Sequence, residues 1–158
     1  MKEHDKRRFN ELIKVYDNHP KVREMREYVQ HGGTTTYDHC RKVAKLSYQI
    51  NRKLHLHANE EELVPAALLH DFFLYDWHEL PKIPLRRFTS KHGFIHSRIA
   101  ADNAKKVFGI SDKMHSLIDS HMWPLNITKV PKSREALILC FADKCVAIKE
   151  TLVRKERA

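Results

Sequence analysis

The sequence predicts an all-α fold, a single-domain helical bundle spanning residues 1–158. Three observations predict it. The 158 residues include only 4 glycines and 6 prolines, too few breakers for a many-stranded sheet. A hydrophobic fraction of 42% suffices for one core of ordinary domain size. Apolar residues recur at helical spacing, and no segment alternates convincingly as a strand.

A first helix is predicted over about Asp5 to Asp17. Pro20 suits the first turn of a second, running to about Val29, and His31-Gly32-Gly33 closes it, since glycine adopts the left-handed conformation that ends helices. Thr34, Thr35 and Thr36 offer an N-cap for a third helix over about Tyr37 to Lys53. Asn59 caps a fourth that runs into His70-Asp71, with Pro65 near its first turn. From Phe72 to His92 the pattern breaks, and Pro81 and Pro84 sit among aromatics and charges. Gly93 precedes a fifth helix ending near Phe108-Gly109. Ser111 or Asp112 caps a sixth that reaches about His121. Ser133 caps the last, with Glu135 close to the capping-box position.

Composition narrows the function classes. No apolar run approaches the roughly 20 residues a bilayer needs. Met1 to Lys6 lacks the apolar stretch of a signal peptide, so the expected location is cytoplasmic. Three cysteines without CxxC spacing argue against a disulfide framework or a zinc ribbon, and free buried thiols are expected at Cys140 and Cys145. The net charge of +9 fits an anionic partner without choosing one. More telling are the 12 histidines, because imidazole is the commonest metal ligand and titrates near neutral pH.

Residues three, four and seven apart share a helix face. By that rule His39 lines up with Val43, Leu46 and Ile50, and His96 with Ile99, Ala100 and Val107. His121 follows Met114, Leu117 and Ile118. Asp143 lies among Leu139, Cys140, Val146 and Ala147. His70 and Asp71 follow an apolar run from Leu63 to Leu68. One buried histidine is ordinary. A buried carboxylate such as Asp143 must meet a cation or hydrogen-bond donors. Four histidines and two aspartates converging on one core are most simply explained by bound metal. The remaining histidines in polar stretches, such as His4, His55 and His115, are expected to be solvated.

The ordered set of His39 on a helix, His70-Asp71 at a helix end and a late Asp143 resembles the HD-domain superfamily of metal-dependent phosphohydrolases. The resemblance spans about Thr34 to Lys149 and implies a helical bundle of the HD type. The steps from His39 to His70, His96, His121 and Asp143 are 31, 26, 25 and 22 residues, similar to members that hold two metals, such as the HD-GYP phosphodiesterases. Carried over, the resemblance gives His39, His70, Asp71 and Asp143 to a first ion and Asp71, His96 and His121 to a second, with Asp71 bridging. It implies one or two divalent ions among Fe, Mn, Co, Ni or Zn, since imidazole and carboxylate suit these and no thiolate ligand is expected. The implied reaction is attack of a metal-activated hydroxide on phosphorus, with Asp71 catalytic; His92, one helical turn before His96, is the expected proton donor to the leaving group. Tyr75, Trp77, Arg86, Arg87 and Lys91 in the irregular segment, and Trp123 in the loop beside His121, are the expected substrate contacts. After Asp71 the chain reads Phe72-Phe73-Leu74-Tyr75, without the Gly-Lys of the two-metal phosphodiesterases and without a GYP motif.

The expected partner is a small anionic phosphorylated substrate, a phosphomonoester or a nucleotide, with no membrane involved. Two other classes fit the same ligand set: a di-iron oxygenase resembling inositol oxygenase, and a binding module whose metal is structural and whose basic surface meets nucleic acid. Oligomeric state is left open by the sequence.

Overall fold

The computed structural model describes residues 1–31, 33–75 and 85–155, the side chains of 30–31, 85–94 and 153–155 excepted. Among them run seven helices: α1 (Glu3–Asp17), α2 (Pro20–Glu24), α3 (Thr36–Lys53), α4 (Glu60–Leu69), α5 (Leu85–Phe108), α6 (Asp112–Ser120) and α7 (Arg134–Lys155). The predicted all-α class holds. No helix of the described residues is long and apolar enough to cross a membrane.

The short helix α4 forms the centre. Its residues Leu63 to Leu69 are all buried, so it is apolar around its whole circumference rather than along one stripe. Helices α1, α3, α6 and α7 pack around it, and α3 also packs on α7 and α5 on α6. Pro65 lies in the interior of α4, not in its first turn. The missing backbone donor is tolerated because burial against the surrounding helices, more than the helix ladder, holds α4 in place.

Local chemistry sets the helix starts. The side chains of Thr35, Asn59 and Ser111 accept from the backbone N–H groups of Asp38, Glu61 and Met114, and Ser133 Oγ accepts from Ala136. Glu135 does not close a capping box. Its carboxylate reaches across the fold to accept from the backbone N–H of Asn59 at 2.8 Å, fastening the start of α4 to the start of α7.

Two elements differ from expectation. Helix α2 stops at Glu24, and Val29–His31 pairs antiparallel with Thr34–Thr35 around Gly33, whose φ is +92°. Long-range contacts override helix propensity there: Met25 is buried, and Tyr28 C=O accepts from the backbone N–H and hydroxyl of Thr36. Helix α5 begins at Leu85, eight residues before Gly93, which sits inside it. One interior glycine costs only about 1 kcal/mol, too little to end a helix. On α5, Val107 is exposed rather than aligned with His96, and the buried face is His96, Ser97, Ala100, Ala101 and Ala104.

The turn joining α3 to α4 is closed by a polar clamp. Asn51 Oδ1 accepts from the backbone N–H of Ala58 at 2.9 Å, and its amide donates to Ala58 C=O at 3.1 Å. His55 and His57 adopt positive φ to make the turn. Asn51→Ala leaves two buried backbone groups without partners. A loss of about 1–3 kcal/mol is expected, read as a fall of about 2–4 °C in thermal midpoint per kcal/mol. An unchanged midpoint would show that the clamp does not hold the turn.

Candidate metal centre

The six residues singled out by sequence come together where α3, α4, α5, α6 and α7 meet. His39 comes from the first turn of α3 and Asp143 from the middle of α7. His70 is the C-cap of α4, with Asp71 one residue beyond, and His121 is the C-cap of α6. His96 projects from α5. All except Asp143 are buried, and the Asp143 side chain is only 14% exposed.

Two groups form. In the first, His39 Nε2 and His70 Nε2 lie 3.1 and 3.6 Å from Asp143 Oδ1. In the second, His96 Nε2 and His121 Nε2 lie 3.4 and 3.6 Å from Asp71 Oδ1, and 3.2 Å from each other. Asp71 Oδ2 lies 3.4 Å from His70 Nε2. One carboxylate thus turns an oxygen toward each group. In each trio, His39–His70–Asp143 and Asp71–His96–His121, the donor atoms lie within 4.8 Å of one another, close enough to share an ion.

The outer ring nitrogens show what the inner ones carry. His70 Nδ1 and His121 Nδ1 each donate, at 2.8 Å, to the carbonyl three residues back, Ala67 and Ile118. A carbonyl only accepts, so both Nδ1 atoms bear a proton, and in its neutral form each ring presents an Nε2 lone pair inward. His39 Nδ1 lies 2.9 Å from Glu150 Oε2 and so donates to that carboxylate. Hydrogen bonds of this kind fix tautomer and ring direction in metal-ligating histidines. His70 Nε2 is fully buried and makes no hydrogen bond, which a water-free core rarely tolerates. Inward lone pairs, two carboxylates and this orphaned nitrogen fit a divalent ion.

Without a cation between them the groups neutralise one another. Burial opposes charge on His39, but hydrogen bonds to Asp143 and Glu150 outweigh it and raise its pKa. Burial also opposes charge on His70, yet the neighbouring acids, Asp71 foremost, lift it well above the ordinary value. Asp71 and Asp143, despite burial, are held well below the usual carboxylate range by the histidines around them. His121 is pushed down to about 3 by burial and the charge of His70.

Three residues of the site escaped the sequence reading. Glu150, bonded to His39 and to Lys42 Nζ at 2.8 Å, follows Asp143 by seven residues and shares its helix face. That spacing was the available signal. Lys144 Nζ donates to His121 C=O and Cys140 C=O, fastening the end of α6 to α7. Cys40 Sγ lies within 4.8 Å of donor atoms of His70 and Asp71, so a sulfur does stand beside the cluster, contrary to expectation. Burial raises its pKa and keeps it a thiol. Cys140 is a buried free thiol as expected, and Cys145 is free but only partly buried.

The expected substrate contacts are distributed unevenly. Tyr75 is half-buried and packs at a tilt against Phe73, which meets the His96 ring edge-on, so it stands beside the second group. Asn103 secures this segment by donating to Phe72 C=O and Phe73 C=O. Trp123 is partly exposed in the turn after His121. Arg86, Arg87, Lys91 and His92 fall on α5 with their side chains outside the described residues, and Trp77 lies outside them altogether. A hollow of about 510 Å³ between α1 and α3 is lined by none of the six cluster residues.

A family model described as HD domain matches residues 36–148, from the first residue of α3 to two residues short of Glu150. No curated protein and no solved structure gives a significant match.

The pKa directions predict how the metal-stripped protein responds to pH. His39 and His70 are raised above the ordinary histidine value of 6.5, so their contribution is present below that value and is lost as pH rises through the raised ones. His121 is lowered, so it opposes folding as pH falls below 6.5. Asp71 and Asp143 lose their contribution as pH falls further, through their lowered values. Thermal midpoints of chelator-treated protein should therefore peak near pH 6.5 and decline toward pH 9. A midpoint that climbs steadily from pH 6.5 to 9 would contradict the ion-paired cluster.

Proposed function

The chain belongs to the HD-domain family, and from that premise we propose that it is a metal-dependent phosphohydrolase acting on a small phosphomonoester or nucleotide. The observation that carries this reading is the placement of Asp71, one carboxylate oxygen toward His70 and the other toward His96 and His121. A carboxylate shared between two histidine groups suits two neighbouring cations better than one. In this reading His39, His70, Asp71 and Asp143 hold the first ion and Asp71, His96 and His121 the second. Bound there, divalent ions supply Lewis acidity, lowering the pKa of water and neutralising charge on a phosphoryl group.

The chain's own residues orient and exclude. Ala67 C=O, Ile118 C=O and Glu150 hold three imidazoles with Nε2 inward, so little reorganisation accompanies loading. The buried walls of Phe72 and Phe73 keep bulk water from the Asp71 side. Tyr75, beside the second group through Phe73, is where a base or sugar face would stack, and Trp123, in the turn after His121, and Trp77 are the other proposed aromatic contacts. Arg86, Arg87 and Lys91, whose side chains lie outside the described residues, are the proposed phosphate contacts. Hydrolysis breaks the bond from phosphorus to the leaving oxygen, which needs a proton. His92, one turn before His96 on α5, donates it.

The direct test is a screen of nucleotides and sugar phosphates with Mn, Fe, Co, Ni, Zn and Mg. Metal-dependent phosphate release is expected. Oxygen consumption by an iron-loaded protein that releases no phosphate would instead assign an oxygenase.

Two variants separate the roles. Asp71→Ala should lose both bound metal and turnover, and full activity in it would show the His-Asp pair to be incidental. Glu150→Gln keeps the shape but not the charge behind His39. It should weaken metal affinity about 10- to 100-fold, measured by competition with a chelating dye. Unaltered affinity would reduce Glu150 to an ion-pair partner of Lys42 with no part in holding metal.

A further inference from the structure

Helix α7 has two apolar faces. One, formed by Ala136, Leu139, Ala142 and Val146, packs into the core. The other lies in the open. Leu137, Phe141, Ile148 and Leu152 are 52%, 61%, 60% and 56% exposed, and the partly buried Cys145 falls between them. At 100° per residue these five share one stripe, opposite the core face and roughly 22 Å long. Single exposed apolar residues are ordinary, but an aligned run of four large ones is not.

The spacing of the stripe is its distinctive property. The intervals between Leu137, Phe141, Ile148 and Leu152 are four, seven and four residues, which read the same in both directions. We propose that this stripe is the contact face of a homodimer in which two copies of α7 pack antiparallel across a two-fold axis beside Cys145. Across that axis Leu137 of one copy meets Leu152 of the other, and Phe141 meets Ile148, so all four large side chains find an apolar mate. A two-fold contact requires one surface to be complementary to itself, and a palindromic stripe meets that requirement.

The buried area is on the order of 1,000 Å², the low end for a specific interface and the range of weak, concentration-dependent association. The net charge of +9 on each copy opposes association, so apolar contact supplies the driving force. Salt screens the repulsion and strengthens the dimer. Binding to an acidic partner or an anionic surface would weaken with salt instead.

Sedimentation velocity of the full chain across micromolar to submillimolar concentrations, at low and high salt, tests this. The dimer fraction should rise with concentration and with salt. Phe141→Asp and Ile148→Asp should each weaken the dimer at least about tenfold, since each buries a carboxylate against apolar groups. Helicity and metal content should match the parent, and two independent variants guard against a folding defect in one. Orientation is read by mild oxidation in a Cys145→Ser background. Phe141→Cys combined with Ile148→Cys should crosslink between copies, and neither should alone. A monomer at every concentration, a dimer that survives both aspartates, association that weakens with salt, or a crosslink from Phe141→Cys alone would each overturn the proposal.

Discussion

A carboxylate as deeply buried as Asp71 is costly unless positive charge surrounds it, and this requirement organises the interior. Asp71 stands between three imidazoles, His70 on one side and His96 and His121 on the other. Those histidines arrive from α4, α5 and α6, and Asp143 and His39 complete the set from α7 and α3. The histidine–aspartate cluster and the hydrophobic core are therefore carried by the same helices.

The scaffold places these groups through helix ends. His70 and His121 both occupy C-cap positions, and each uses its Nδ1 to satisfy a carbonyl of its own last turn. That bond fixes the ring before any ligand arrives. The ends are secured from a distance: Glu135 holds the start of α4 from α7, Lys144 holds the end of α6, and Asn103 holds the segment after Asp71. Helix α7 contributes most of these restraints along with Asp143 and Glu150. Its inner face determines the geometry of the site, and its outer face is left free for another contact.

Sequence reasoning recovered what local chemistry dictates. Thr35, Asn59, Ser111 and Ser133 were legible as caps because short polar side chains before apolar runs have few other uses. The six cluster residues were legible because a histidine or aspartate on an apolar helical face is conspicuous. The hairpin at Val29–Thr35 was not, since its pairing depends on Met25 and Tyr28 packing against α3. The start of α5 was misplaced because Gly93 reads as a breaker in isolation. Glu150 was hidden in a charged stretch, where only its seven-residue spacing from Asp143 set it apart, and Cys40 was hidden among apolar neighbours on α3.

Anomalous X-ray scattering from crystals of the purified protein, recorded at the absorption edge of its bound metal, tests whether Asp71 stands between two ions. Two peaks about 3.5–4 Å apart are expected. One would lie against His39, His70 and Asp143, the other against His96 and His121, with Asp71 between them. A single peak away from Asp71, or protein that takes up no metal although all six side chains hold their places, would contradict this placement.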